Sequence, residues 1–80
     1  MGNKKKMFLV AYDLHNGDSD TYQELANKLE EELHGKRLQE SVWRIDLEEY
    51  TCEELKNELS EILWSNDELL VAECISYEIH

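Results

Sequence analysis

The chain has 80 residues and a mass of 9.5 kDa, which is the size of a single small domain. Apolar residues make up 41% and charged residues 34%, a mixture typical of globular domains, and no apolar run approaches the ~20 residues that cross a bilayer. The net charge of −11 disfavours binding to duplex DNA, which depends on basic surface, and suits a solvated surface, bound cations or a basic partner.

The first predicted element is a buried strand. Residues 1–6 are expected to form a flexible basic tail, and residues 7–80 a single domain. In residues 7–14, MFLVAYDL, both alternating sets of side chains are mostly apolar, which is typical of a central strand covered on both faces. The apolar run ends at Asp13, and residues 15–18 form a turn-prone cluster.

An amphipathic helix is predicted after this turn. Asp20 as the N-cap and Gln23 three residues later match a capping box, and Gly35 is a natural stop. Apolar side chains recur at intervals of three and four, which predicts a stripe that packs against a sheet: Tyr22, Leu25, Ala26, Leu29 and Leu33.

The middle of the chain changes to a period of two. Residues 36–47, KRLQESVWRIDL, are long for one strand, so a bend near Glu40–Ser41 is expected to divide them into two short strands. A second helix then opens with Thr51 and Glu54, another capping box. Its apolar stripe is predicted to be Leu55, Leu59, Ile62 and Leu63.

The chain ends in two segments with strand patterns. Residues 68–74, ELLVAEC, predict a strand that is apolar on both sides. Residues 75–80, ISYEIH, alternate between apolar and polar side chains, which indicates half-buried β-structure in need of a partner edge. That edge can belong to the same chain or to a second copy, so residues 75–80 are a candidate edge or swap strand.

The predicted order βαββαβ favours an α+β, ferredoxin-like fold with an antiparallel sheet and both helices on one face. The other face of the sheet then needs cover, and a homodimer that packs sheet against sheet supplies it. Small size points the same way, because a chain of this length buries only roughly 60% of its unfolded surface. A three-stranded parallel sheet of the doubly wound kind is the alternative.

The two cysteines carry no recognisable motif. Cys52 and Cys74 form no CxxC pair and no cluster with zinc spacing, so we expect both to be reduced and partly buried. No signal peptide is visible, and the expected location is the cytoplasm. Gly-rich phosphate loops, HExxH and GxSxG motifs are absent from the sequence.

Three segments in this order resemble a known family: FLVAYDL, KRLQESVWRID and ELLVAEC. The chain is similar to the small CRISPR-associated proteins of spacer adaptation, the second protein of the Cas series. It also resembles their SinR-like and VapD-like relatives, the SinR-like branch most of all. The resemblance covers roughly residues 7–75 and implies a role connected with antiviral defence.

The resemblance implies a ferredoxin-like homodimer in which Asp13 takes the position of a metal-linked aspartate. In the nucleases of this family, one such aspartate from each subunit holds a divalent ion, so the implied cofactor is Mg²⁺ or Mn²⁺, both of which suit oxygen ligands. Ser41 matches the serine of the S-V-F/W segment and is a second candidate catalytic residue, with a hydroxyl that caps a β-bend as the alternative. His15 is either a proton-transfer group or an exposed loop histidine.

Two functions remain open from the sequence. In the first, the chain is a homodimeric, divalent-metal-dependent endonuclease of low activity that cleaves RNA rather than duplex DNA through Asp13 of both subunits. In the second, it is a non-catalytic homodimeric scaffold that binds a basic protein through its acidic surface or through residues 75–80.

Overall fold

The computed structural model describes residues 5–15 and 19–80 of the chain. Seven of the predicted tail and turn positions, residues 1–4 and residues 16–18, therefore lie outside the described residues. The elements, in chain order, are β1 (Lys6–Asp13), α1 (Ser19–Asn27) with a π-helical extension (Lys28–Glu32), β2 (Lys36–Gln39), β3 (Val42–Leu47), α2 (Cys52–Ser60) and β4 (Glu68–Cys74).

The strands form one antiparallel sheet in the order β2-β3-β1-β4. This order confirms the predicted ferredoxin-like fold and excludes the parallel, doubly wound alternative. β1 is central, as its apolar pattern on both sides predicts. The middle segment divides at Glu40–Ser41, as expected, because these two residues form the turn between β2 and β3.

The core lies between the sheet and the two helices. Alternate side chains of β1 (Phe8, Val10 and Tyr12) are buried on the helix side of the sheet. Leu14, directly after β1, and Leu33, directly after the π-helical extension, also belong to the core. The remaining core residues come from the helical segments and from β3: Leu25, Leu29, Trp43, Ile45, Leu55 and Leu59. Both helices therefore cover the same face of the sheet, as predicted.

The first helix departs from the prediction at its start. α1 begins at Ser19, so Asp20 lies in its first turn rather than at the N-cap, and the predicted capping box with Gln23 is wrong. The side chain of Gln23 donates instead to Asn27 Oδ1, one turn further along the helix, at 3.0 Å. The acidic Asp20 still lies favourably in the first turn, because the helix dipole is positive there.

Gly35 follows the end of the helix, and the reason for a glycine there is close packing. His34 takes the left-handed conformation, with φ of 55°, and the N–H of Gly35 donates to Leu29 O at 2.7 Å. A Cβ at Gly35 would lie 2.8 Å from Leu29 O and 3.2 Å from Ile45 Cγ1. Only glycine lets the chain pass this close to the helix and β3.

The second helix confirms its predicted capping box. Thr51 Oγ1 accepts from the N–H of Glu54 at 3.1 Å, and Glu54 Oε1 accepts from the N–H of Thr51 at 3.0 Å. Two N–H groups at the helix start thus have partners. Neither α1 nor α2 has the length and hydropathy of a membrane-crossing helix, and the rest of the described chain offers no other candidate.

The second face of the sheet, which we call the open face, carries no helix. It presents the other alternate side chains of the strands: Met7, Leu9, Ala11, Asp13, Val42, Arg44, Asp46, Glu68, Leu70, Ala72 and Cys74. Most of these are apolar, and Leu70 is 59% exposed.

Residues 75–80 form no strand within the single chain. Ile75 is fully exposed, whereas Tyr77 lies against Arg44 of the open face, with the guanidinium carbon 5.8 Å from the ring centroid. The last residue of the predicted flexible tail belongs to the sheet instead, because Lys6 is the first residue of β1 and pairs with Leu47.

Candidate functional site

Three side chains with metal-ligating atoms converge where β1 ends and β4 begins. Asp13 and Glu68 are direct register partners across these antiparallel strands, and His15 follows β1 by two residues. His15 Nε2 lies 2.6 Å from Glu68 Oε2 and 3.7 Å from Asp13 Oδ2. One ligand atom from each side chain lies within 4.8 Å of the other two. We call Asp13, His15 and Glu68 the acidic cluster.

The backbone around the acidic cluster is held by a neighbouring carboxylate. Asp67 Oδ1 accepts from the N–H of His15 at 2.8 Å, and Asp67 Oδ2 accepts from the N–H of Trp64 at 3.0 Å. One aspartate thus joins the segment after β1 to the segment before β4, which places His15 beside Glu68.

The electrostatics of the acidic cluster favour a cation. Like charges opposite one another on paired strands repel, and Asp13 and Glu68 occupy such positions. The hydrogen bond with Glu68 raises the pKa of His15 above its ordinary value of 6.5, opposed by desolvation and aided by the charge of Asp13. When His15 is protonated, its imidazolium neutralises part of the carboxylate charge.

The spacing of the acidic cluster fits a small divalent ion. Two ligands at right angles on an octahedral ion, each at about 2.1 Å, lie about 3 Å apart. The separations of His15 Nε2 from the two carboxylates, 2.6 and 3.7 Å, bracket this value. Two carboxylate ligands suit either Mg²⁺ or Mn²⁺, and the additional imidazole ligand favours Mn²⁺.

The two most informative sequence motifs meet in the core beside the acidic cluster. The indole N–H of Trp43, from the ESVW segment, donates to the hydroxyl of Tyr12, from the YDL segment, at 3.0 Å. The N–H of Tyr12 also donates to Ser41 O at 3.1 Å. Both bonds fix the residue directly before Asp13, so these motif residues position the end of β1.

Of the two predicted site residues, the structure places only Asp13 in the acidic cluster. Ser41 lies at the same end of the sheet, in the β2–β3 turn, and contacts Tyr12 through its backbone carbonyl. The prediction that Ser41 takes part in catalysis stays a prediction. Sequence reasoning weighed His15 and missed Glu68, whose role depends on the pairing of β1 with β4.

Fold and site together define a class: a small ferredoxin-like protein with a carboxylate-rich cluster at the end of its central strand. Residues 6–78 match the family model of the CRISPR-associated protein Cas2. The chain belongs to the Cas2 family, which confirms the family that the three sequence segments resemble.

One solved relative is a crystal structure of a hypothetical protein, TT1823, from Thermus thermophilus. It is 29% identical to this chain and superimposes with a TM-score of 0.74, and the alignment covers 95% of this chain and 90% of the relative. A comparison with curated proteins gives no significant match.

Proposed function

We propose that this Cas2-family chain is a homodimeric, divalent-metal-dependent endonuclease of low activity that acts on RNA in preference to duplex DNA, in the cytoplasm and in antiviral defence. The observation that carries the proposal is the convergence of Asp13, His15 and Glu68 at one end of the sheet. The preference for RNA follows from the charge of −11, which disfavours the many phosphate contacts of a duplex.

In this proposal the acidic cluster holds Mn²⁺ or Mg²⁺. A bound divalent ion neutralises charge on a phosphate and lowers the pKa of a coordinated water. Asp13 and Glu68 supply the anionic ligands, and His15 supplies a third ligand or accepts a proton beside it. Asp13 and Glu68 expose about 70% of their side chains, so a phosphodiester can reach them.

The open face supports the homodimer. Its apolar side chains lie on the same side of the sheet as Asp13, so a second copy packed against this face brings its own Asp13 towards the same edge. Residues 75–80, which have no strand partner in the single chain, would then pair with an edge strand of the other copy.

Light scattering during size-exclusion chromatography tests the homodimer. We expect a dimer for the wild type and a monomer for Leu70→Asp, which places a charge on the open face. Asn57→Asp adds the same charge on an exposed position of α2 and should remain dimeric. A monomeric wild type, or a dimeric Leu70→Asp variant, contradicts packing through this face.

Cleavage of labelled single-stranded RNA tests the catalytic proposal. We expect cleavage with Mn²⁺ or Mg²⁺ that is lost with chelator and falls at least about 100-fold in Asp13→Ala. Glu30→Ala removes an exposed carboxylate from the π-helical extension of α1 and should cleave normally. Equal cleavage by wild type and Asp13→Ala would place the activity elsewhere.

The scaffold is the second candidate, and the acidic helix layer favours it. A group of exposed glutamates lies on the helices and at the C-cap of α2, where a basic protein can dock by charge complementarity: Glu24, Glu30, Glu31, Glu32, Glu53, Glu54 and Glu61. A folded dimer that cleaves no RNA with either metal, and whose Asp13→Ala variant keeps the same protein partner, would support the scaffold over the nuclease.

A further inference from the structure

A pocket lies beside the acidic cluster, between the end of α2 and the start of β4. Its volume is about 530 Å³, which is within the range of small-ligand sites. Aromatic, aliphatic, hydroxyl and charged groups line it together: Lys56, Ser60, Leu63, Trp64, Asp67 and Leu69. We call this the α2–β4 pocket.

Trp64 gives the α2–β4 pocket an aromatic surface. The residue is 58% exposed, whereas the other tryptophan, Trp43, is buried in the core. The indole N–H of Trp64 donates to Thr21 Oγ1 of α1 at 3.3 Å, and its backbone N–H donates to Asp67. Trp64 is therefore held at its backbone and at its indole N–H while more than half of the residue faces solvent, as a stacking platform requires.

Lys56 gives the same pocket a cation. Its side chain is exposed on α2, and it forms no ion pair with any residue in the described part of the chain. By contrast, Lys28 is paired with Glu32 and Glu58, and Arg44 with Asp46. In a strongly acidic protein, an unpaired lysine beside an exposed tryptophan suits a ligand that combines a flat ring with a negative charge.

The α2–β4 pocket and the acidic cluster share one loop. Asp67 contributes to the wall of the pocket, and its carboxylate binds the N–H groups of both Trp64 and His15. The next residue, Glu68, belongs to the acidic cluster. A nucleotide in the pocket would thus contact the loop that also carries Glu68 of the acidic cluster.

We propose that the α2–β4 pocket is a nucleotide subsite for single-stranded RNA, in which Trp64 stacks on a base and Lys56 contacts a phosphate. The subsite rests on the proposed nuclease function, for which it supplies the substrate class. Unpaired bases are required, because a base inside a duplex is already stacked and does not present its face to Trp64.

Binding measured in chelator, where a metal-dependent nuclease cannot cleave, tests the subsite separately from catalysis. We expect a short single-stranded RNA to quench the emission of the exposed Trp64, and the Trp64→Phe variant to lose this quenching. By fluorescence anisotropy of labelled RNA, Trp64→Ala should bind about 5- to 150-fold more weakly, whereas Trp64→Phe keeps an aromatic ring and stays within about 5-fold of wild type.

Two controls isolate the base and the phosphate. An oligomer of the same length without bases should bind wild type and Trp64→Ala equally. Lys56→Ala should lower the slope of log affinity against log salt by about 0.7, and Lys36→Ala, which removes an exposed lysine from β2 at the far edge of the sheet, should leave it unchanged.

The outcomes separate the subsite from the nuclease. Equal RNA affinity for wild type and Trp64→Ala, or no RNA binding by wild type, overturns the subsite, even if cleavage that depends on Asp13 persists. Saturable binding that depends on Trp64 establishes the subsite, even if no metal supports cleavage. Binding of a basic protein at Trp64 without RNA binding also overturns it.

Discussion

Removing one oxygen atom from Tyr12 tests whether the two family motifs position the candidate site. Tyr12→Phe keeps the ring but removes the acceptor of the Trp43 indole N–H, whose bond is 3.0 Å long. Trp43 is 2% exposed and Tyr12 7% exposed, so water cannot replace the hydroxyl. No buried side-chain nitrogen or oxygen in the described residues now lacks a partner, and the variant would create one.

The expected cost follows from this burial. An unsatisfied buried donor costs about 1–3 kcal/mol, and 1 kcal/mol lowers the Tm of a domain of this size by about 4–8 °C. We therefore expect the Tm of Tyr12→Phe to fall by about 4–24 °C in circular dichroism melts at equal protomer concentration. Equal concentration matters because dimerisation would itself raise the Tm.

Tyr77→Phe is the matched control, because it removes the hydroxyl that accepts from Arg44 near the surface. Its free energy of unfolding should change by no more than about 0.5 kcal/mol. A double-mutant cycle of Tyr12→Phe with Trp43→Phe should give a coupling energy of about 0.5–3 kcal/mol. A Tyr12→Phe melt that overlays the wild type would refute the structural role of the bond.

Three further substitutions have defined outcomes. Gly35→Ala should lower the free energy of unfolding by about 1–3 kcal/mol in denaturant titrations, because its Cβ would lie 2.8 Å from Leu29 O. Glu68→Gln should lower the pKa of His15 towards 6.5 in an NMR titration, because the hydrogen bond with Glu68 raises it. In the wild type, the stability that His15 contributes is therefore complete below pH 6.5 and is lost as pH rises through the raised pKa. Tyr50→Phe should lower the free energy of unfolding by about 0.5–1.5 kcal/mol at neutral pH, because the Tyr50 hydroxyl donates to Glu58. That bond also raises the pKa of Tyr50, so the difference in stability between the variant and the wild type should shrink as pH rises above 10.0.

The strands were predictable because their signals are local. β1 and β4 are apolar on both alternating sides, and the turn at Glu40–Ser41 follows from a segment too long for one strand. The start of α1 was not predictable in the same way, because Asp18, Ser19 and Asp20 are all good N-cap residues and the local sequence does not distinguish among them.

The acidic cluster was only partly predictable, because it depends on a long-range pairing. Asp13 was found through its place in the YDL segment, where the apolar run of β1 ends. Glu68 became a partner of Asp13 only when β4 paired antiparallel with β1 in the observed register. Residues 75–80 show the converse limit: their alternating pattern predicts a strand, but a strand forms only where it pairs with an edge, and in the single chain these residues pair with neither edge strand, β2 nor β4.

The charge distribution sets the expected salt dependence of RNA binding. Exposed glutamates lie on the helices, strands and loops alike, whereas the α2–β4 pocket offers one unpaired lysine, Lys56. A single phosphate contact gives a slope of about 0.7, so affinity should fall only about threefold over a fourfold rise in salt. Proteins with six to ten duplex contacts lose about 10³–10⁵ over that range. If Lys56→Ala keeps a steep dependence of affinity on salt, the phosphate contacts would be assigned to the basic residues 4–6. That result would contradict binding dominated by stacking on Trp64.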